Sequence, residues 1–167
     1  MNSPLVYRLM RPGEEADVTD LVMRVFDEFV APQFSVEGRR EFQSYADPHL
    51  LLLRSRWNHF VLLADTQKEI AGMIEMRCDG HVALFFVEGE FQSSGVGGEL
   101  LRRALEICRR RNPEVSKVTV NSSPNAVVTY ERLGFCRAGP ERTEDQVRFV
   151  PMVLDLLDTN LSRPPAE

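Results

Sequence analysis

Apolar residues recur along this chain with two different periods. After a short strand around Leu5 to Met10, the stretch Pro12-Gly13-Glu14-Glu15 opens a segment in which Val18, Leu21, Val22, Val25, Phe26 and Phe29 fall three or four residues apart, the spacing of an amphipathic helix. Ala31-Pro32-Gln33-Phe34 breaks that helix, Ser35 is placed to cap a second one carrying Phe42 and Tyr45, and Asp47-Pro48 ends the second. The period then shortens. His59 to Asp65, Ile70 to Arg77 and His81 to Val87 are runs rich in Val, Ile, Leu and Phe, separated by Thr66-Gln67-Lys68-Glu69 and Cys78-Asp79-Gly80, which predicts an antiparallel meander.

Helical spacing returns from Gly95 to Arg111, where Val96, Leu100, Leu101, Ala104, Leu105 and Cys108 lie opposite Arg102, Arg103, Glu106, Arg109 and Arg110. Lys117 to Val120 predicts a short strand, and Ser123-Pro124 reads as the N-cap and first residue of a helix that runs to Leu133 and closes at Gly134. Val147 to Leu154 is a last strand in which Pro151 marks an edge or a bulge. Without an internal repeat or a composition break, residues 1–158 are expected to form a single domain, and residues 159–167, with Arg163-Pro164-Pro165, a flexible tail.

Composition narrows the class. A chain of 167 residues has the size of one domain, which buries roughly 70% of its extended surface on folding. At 43% hydrophobic and 27% charged residues it is neither disordered nor fibrous. A net charge of −5 and a pI near 5.3 give no global attraction to nucleic acid or anionic membrane, so neither is expected as a partner. Cys78, Cys108 and Cys136 are odd in number and far apart, which offers no disulfide framework and no metal spacing; no metal cofactor is expected. The first residues lack an apolar signal core and no run approaches the ~18 apolar residues of a membrane span, so the expected location is cytoplasmic.

The chemistry concentrates between Leu84 and Leu101. A hydrophobic strand leads into Glu88-Gly89-Glu90-Phe91, then into Gln92-Ser93-Ser94-Gly95-Val96-Gly97-Gly98, then into the arginine-studded helix. Small residues at a helix N-terminus expose backbone N–H groups at the positive end of the helix dipole and let a phosphate approach them closely. A diphosphate is the natural ligand, and a plain strand-to-helix turn is the alternative. A P-loop is excluded because Gly-Lys-Ser/Thr is missing, the only lysines being Lys68 and Lys117. A dinucleotide fingerprint is excluded because Leu100 stands where its third glycine belongs and the loop follows an antiparallel meander.

These residues resemble the GNAT superfamily of N-acetyltransferases. Its signature is a strand ending in an aliphatic residue, a short acidic loop, then Gln or Arg, two residues, Gly, any residue, and Gly or Ala. Here that is Val87-Glu88-Gly89-Glu90-Phe91-Gln92-Ser93-Ser94-Gly95-Val96-Gly97. A second element follows in order, Asn125-Ala126-Val127-Val128-Thr129-Tyr130-Glu131-Arg132-Leu133-Gly134-Phe135, similar to the helix that carries the family's tyrosine and its terminal Gly-Phe. Gly89 is a departure, since many relatives carry proline there. The resemblance spans about residues 5 to 155 in element order.

What the resemblance implies is an α+β domain with a mixed, mostly antiparallel sheet of about six or seven strands and helices on both faces. It implies acetyl transfer from acetyl-CoA, as co-substrate, to a primary amine by direct attack in a ternary complex. The coenzyme would lie where the fourth strand parts from the fifth, against Phe85, Phe86, Val87, the loop Gln92, Ser93, Ser94, Gly95, Val96, Gly97 and Gly98, and Asn121, Asn125 and Tyr130. Backbone N–H groups near Phe86 and Val87 would face the developing oxyanion, Tyr130 would protonate the departing thiolate, and Asn125 would hydrogen-bond the coenzyme arm. For each of the last two a purely structural role is the alternative, core packing for Tyr130 and capping for Asn125.

The proton acceptor is open among Glu75, His81 and Glu88. His81 lies roughly 15 Å from Phe85 and Phe86 at ~3.3 Å per residue, so it is a poor direct base, and whether it and Arg77 line the acceptor pocket stays open. A two-residue turn would set Glu75 opposite Leu84 and a three-residue turn opposite Ala83. Glu75 is the catalytic candidate, with a solvated strand carboxylate as the competing reading, and Glu88 is expected to face water. The basic face of Arg102, Arg103, Arg109, Arg110 and Arg111 is expected to be solvated, with the CoA 3′-phosphate or an acidic partner as alternatives. The acceptor is a small-molecule or peptide amine, the chain a monomer or homodimer, and the rival reading of the whole a non-catalytic acyl-CoA-binding module.

Overall fold

The computed structural model describes residues 4–157, so the expected tail lies outside the described residues. In chain order the elements are β1 (Val6–Leu9), α1 (Glu15–Val25), α2 (Val36–Tyr45), α3 (Pro48–Trp57), β2 (His59–Asp65), β3 (Ile70–Arg77), β4 (His81–Val87), α4 (Val96–Arg111), β5 (Lys117–Ser122), α5 (Val127–Arg132), β6 (Cys136–Arg137), β7 (Arg142–Glu144) and β8 (Val147–Asp155). One eight-stranded sheet runs β1-β2-β3-β4-β5-β8-β6, with β7 also on β8. All neighbours are antiparallel except β4 and β5. The α+β expectation holds, and the strand count exceeds it because β6 and β7 are too short to leave a periodic trace. No described helix is long and apolar enough to cross a membrane.

The sheet separates two apolar clusters. Behind it Leu100, Leu101, Ala104, Leu105 and Cys108 of α4, with Val127 and Tyr130 of α5, pack on Phe60, Leu62, Ile74, Met76, Val82, Val118 and Val120. In front, Val18, Leu21, Val22 and Val25 of α1, Ala46 after α2 and Leu51 of α3 pack on Val61, Leu63, Met73 and Leu84. Alternate residues of each strand supply the two faces, as the period of two requires.

Three departures from the sequence pattern have local causes. Asp47-Pro48 does not simply end a helix: Asp47 accepts a hydrogen bond from the Leu50 amide at 3.0 Å and Pro48 takes the first position of α3, a helix the periodicity misses because it is apolar on most sides. Helix α1 breaks at Ala31–Gln33 as expected, but it keeps its α form only to Val25 and widens into a π-helical turn over Phe26–Val30 before that break. Pro151 sits inside β8 rather than on an edge, at the seam where the outer side of β8 changes partner from β7 to β6. Its carbonyl accepts from the Ala138 amide on that outer side, so the missing proline N–H falls at the seam and breaks no ladder bond.

Helix α2 stacks Phe42 on Phe26 after α1 and also reaches β8. Ser35 caps it by accepting from the Gly38 amide at 3.0 Å, and Gly38 rests against the β7–β8 turn, where a Cβ would come 2.5 Å from the Gln146 carbonyl oxygen. Gly38→Ala is therefore expected to lower stability by about 1–3 kcal/mol by forcing the helix off the turn. A denaturant midpoint unchanged from wild type would show that this contact gives way freely.

Candidate active site

Strands β4 and β5 are paired only at His81–Thr119 and Val82–Val120, after which they part. Beyond that point β4 keeps β3 as its partner and β5 keeps β8. The alternation of an antiparallel ladder fixes which backbone groups are left in the gap. Because the Glu88 amide donates to Ala71, the amides and carbonyls of Phe86 and Leu84 turn toward β3, and those of Phe85 and Val87 turn into the gap. The Thr119 amide donates to Gly80 across the closed end, so Asn121, of the same parity, also turns its backbone toward β4. The sequence reading paired Phe86 with Val87 as amide donors; ladder parity leaves Val87 and removes Phe86.

The glycine loop borders the same gap. Gly95 takes φ +88, which a residue with a Cβ adopts at a cost, and Ser93 takes φ +59. Gly95 accepts from Glu99, leaving the amides of Val96, Gly97 and Gly98 without intrahelical acceptors at the N-terminus of a 16-residue helix. At Gly97 a Cβ would project to within 3.6 Å of the Phe85 ring and 3.8 Å of Val87, so this backbone faces the free edge of β4. The Gln92 side chain turns back to donate to the Val87 carbonyl at 2.9 Å, and the Ser94 hydroxyl donates to the Phe91 carbonyl; both hold the loop's shape. Glu99 is drawn away by Arg102, at 2.8 Å, and by Arg103, which hold its carboxyl near a pKa of about 2. The basic face of α4 is thus partly neutralised by its own glutamates, Glu106 included.

Tyr130 stands on the α5 side of the gap. Its ring lies 6.2 Å from Phe85 and 5.4 Å from Phe135, centroid to centroid. Burial raises its pKa, so it keeps its proton. Its helix closes at Gly134 as expected, with φ +101, but starts later: Ser123-Pro124 open a 3-10 turn over Pro124–Ala126 and α5 itself begins at Val127.

Glu75 overturns the solvated-strand reading. It is fully buried, on the α1–α3 face, where Arg54 Nε and Nη2 donate to its two oxygens at 2.7 and 3.1 Å and His59 Nδ1 donates at 2.7 Å. The hairpin explains the placement: the turn has three residues, Cys78 to Gly80, and a bulge between Glu75 and Met76 restores Leu84 as the residue opposite Glu75. Burial pushes its pKa up, but the bonds from His59 and Arg54 outweigh this and the net shift is downward. With no exposed surface and both oxygens engaged, Glu75 is not placed to touch an acceptor amine; it ties α3 to β3. Arg54 and His59 were not singled out from the sequence, since an arginine on an unrecognised helix and a histidine opening a strand carry no spacing signal.

The other candidates are engaged elsewhere. Glu88 is not simply solvated but pairs with Arg24 of α1 at 2.6 Å. His81 shares a hydrogen bond of 2.8 Å with Thr119 at the closed end of the gap, its pKa lowered by burial and by Arg77. Asn125 donates its side-chain amide to the Phe29 carbonyl and accepts from Ser123 at 2.8 Å, so in this structure both ends of the group are used within the protein. A groove of ≈ 410 Å³ between α1 and the α2–α3 corner, lined in part by Asp20, Asp27 and Asp47, lies away from all these groups.

The buried carboxylate gives a prediction whose sign follows from its lowered pKa. Its stabilising effect is present above the unfolded value of about 4.3 and is lost as pH falls through the folded value. Glu75→Gln should cost about 3–5 kcal/mol at pH 7, the range for breaking one side of a buried pair, and the gap to wild type should narrow in acid. Urea midpoints measured from pH 7 to 3 check both; a gap independent of pH would mean that the charge contributes nothing.

Comparison with known proteins places this arrangement. No curated protein sequence gives a significant match. Among solved structures, a GCN5-related N-acetyltransferase from Rhodopseudomonas palustris superposes with a TM-score of 0.76 at 17% identity, covering 93% of this chain and 98% of that one. The PaiA N-acetyltransferase from Thermoplasma acidophilum, solved in complex with coenzyme A, gives 0.73 at 15%, over 91% and 99%. The ribosomal-protein-S18-alanine N-acetyltransferase from Escherichia coli gives 0.66 at 14%, over 92% and 94%. These likenesses concern the fold, and the family follows from a sequence model, that of the Acetyltransferase (GNAT) domain, which matches residues 30–156. Parted central strands, a glycine loop at a helix N-terminus and the tyrosine helix beyond it are thus assembled in a chain that belongs to the GNAT acetyltransferase family.

Proposed function

We propose that this protein transfers an acetyl group from acetyl-CoA to a primary amine by direct attack. The observation that carries the reading is the parting of β4 and β5, which turns the backbone of Phe85 and Asn121 and the amide of Val87 toward a gap in mid-sheet beside the open N-terminus of α4, the Val87 carbonyl being taken by Gln92. Buried backbone polar groups require partners, and the amide-bearing arm of coenzyme A supplies donors and acceptors of the right kind. The loop amides from Ser93 to Gly98 suit its diphosphate, and the open space at Gly95 is what such a group needs to approach the backbone.

In this reading the acceptor nitrogen bonds to the thioester carbon as the carbon–sulfur bond breaks. The Val87 amide, fixed by its strand and by Gln92 on the neighbouring carbonyl, faces the charge that develops on the thioester oxygen. Tyr130, neutral because it is buried, donates its proton to the departing sulfur, and the amine's proton leaves to water, since Glu75 is sealed and His81 lies at the closed end. Glu75 supports the site from behind, tying Arg54 of α3 and His59 of β2 to β3, the strand paired with β4.

Acetyl-CoA should raise the melting temperature, and Gly97→Asp should abolish the shift because a carboxylate would occupy the diphosphate position. Undiminished stabilisation would place the diphosphate elsewhere. Tyr130→Phe should lower kcat about 10²-fold with acetyl-CoA affinity within a few fold, the size of a lost general acid. Release of the CoA thiol over a panel of amines provides the assay; tight binding with no release over any amine would make the protein an acyl-CoA-binding module.

A further inference from the structure

Helix α3 carries an apolar side that no described element covers. Leu50, Leu53 and Trp57 are 43%, 49% and 88% exposed, and at 3.6 residues per turn they fall within about 60° of one another. Leu51, on another side of the same helix, is fully buried on the sheet, so this stripe is additional to the face that holds α3 in the fold. Tyr45 widens it: its ring is 39% exposed and lies under the Arg54 guanidinium at 3.9 Å. Four of the ten large hydrophobic side chains exposed among the described residues thus sit between positions 45 and 57.

A single exposed leucine needs no explanation, but a contiguous stripe ending in a tryptophan does. Trp57 makes no ring contact and no side-chain hydrogen bond among the described residues, and the helix closes without it, through the Asn58 amide on the Arg54 carbonyl. The stripe is also rigidly mounted, because Arg54 fastens α3 to the buried Glu75, so docking there orders little. Its charges say what fits. Helix α3 contains no acidic residue, Asp47 stands at its N-cap, and Arg56 is exposed in its last turn. A matching surface must be apolar in the middle, basic toward Asp47 and acidic toward Arg56. The same stripe turned end for end has that pattern. Reversal about the midpoint of Leu50 and Leu53 sets Leu50 of each copy against Leu53 of the other and brings Trp57 over Tyr45 of the other copy. It also lays the acidic start of one helix beside the basic end of the other, with the two helix dipoles opposed. Area agrees with a symmetric pairing. Large side chains offer ~150–250 Å² each, so these exposures leave about 400 Å² open on one copy. With His49 and Arg56 at the rim, two copies together bury about 1,000 Å², the lower bound for a specific interface.

We propose that the exposed side of α3 is the interface of a two-fold homodimer, in which Leu50 and Leu53 of the two copies pack on each other and Trp57 is the central anchor. The inference does not rest on the acetyl-transfer reading. Helix α3 packs on α1 and β2, so the pairing leaves the gap between β4 and β5 open in both copies.

Sedimentation equilibrium of the full chain from about 1 to about 200 µM should show the weight-average mass rising from that of one chain toward that of two, the range expected of an interface this small. Over the same range, acrylamide quenching of Trp57, the only tryptophan in the chain, should fall about three-fold as the ring enters the centre of the contact. Trp57→Glu and Leu53→Glu should each raise the dissociation constant by about 30-fold or more, the size of a lost anchor, with the circular dichroism of the wild type. A single chain at every concentration, quenching that does not change on association, or a dimer that survives both substitutions overturns the proposal. So does a Trp57 already shielded at the lowest concentration, which would mean that the chain itself covers the stripe. Should either variant fail to fold, the mass and quenching curves of the wild type still decide.

Discussion

Everything distinctive in this molecule follows from two strands that stop pairing. A sheet interior normally satisfies each strand on both sides, and the backbone groups of Phe85, Val87 and Asn121 face a gap instead. The parting is enforced locally. The bulge at the start of β4 and the three-residue turn before it lock β4 to β3, while the full length of β5 is committed to β8. Aromatic volume at Phe85, Tyr130 and Phe135 then fills the space behind the gap, so the strands have no route to close by sliding together. A fold of this kind stores its unmet hydrogen bonds where a ligand can meet them.

The glycine loop and its helix were legible from the residues because the pattern there is local: small residues fix the turn and apolar spacing fixes the face of α4. The meander was legible to the residue for the same reason, and the tyrosine helix to within three residues at its start and one at its end. What was lost depended on contacts distant in sequence. Nothing near Glu75 announces that Arg54 and His59 will surround it, and alternation alone reads a lone glutamate in a strand as solvent-facing. Asp47-Pro48 serves equally well as a helix stop and as a helix start, and only the packing of Leu51 under α1 decides for the start. The turn at Phe26–Val30 followed the helical period of α1 so closely that its widening left no mark on the pattern.

The sheet also divides the labour of the site. Along β4, Phe85 and Val87 point to the α4–α5 face while Leu84 and Phe86 point to the α1–α3 face, so neighbouring residues of one strand report to different cores. On the rear face the groups bordering the gap are backbone amides and the N-terminus of a long helix, held by Gln92 and by the glutamate–arginine pairs of α4. On the front face they are side chains: a ring at Phe29 and the aromatic run through Phe34, Phe26, Phe42 and Phe86 that ties it to the strand.

This division has a physical consequence for how such a site can vary. Backbone groups cannot be exchanged by substitution, so the half built from them tolerates change wherever small residues and the strand parting survive. The front half is built from side-chain volume, and each part of it is matched to a neighbour, as Gly89 is to Phe29 and Gly38 to Gln146. Change on that face would therefore come in pairs, one in the helical turn and one in the element it rests on, while the buried Arg54–Glu75–His59 cluster keeps α3 on the sheet. Single changes on that face should more often loosen the helical turn than reshape it, because Glu88, Gly89 and Asn125 each hold it by a close contact.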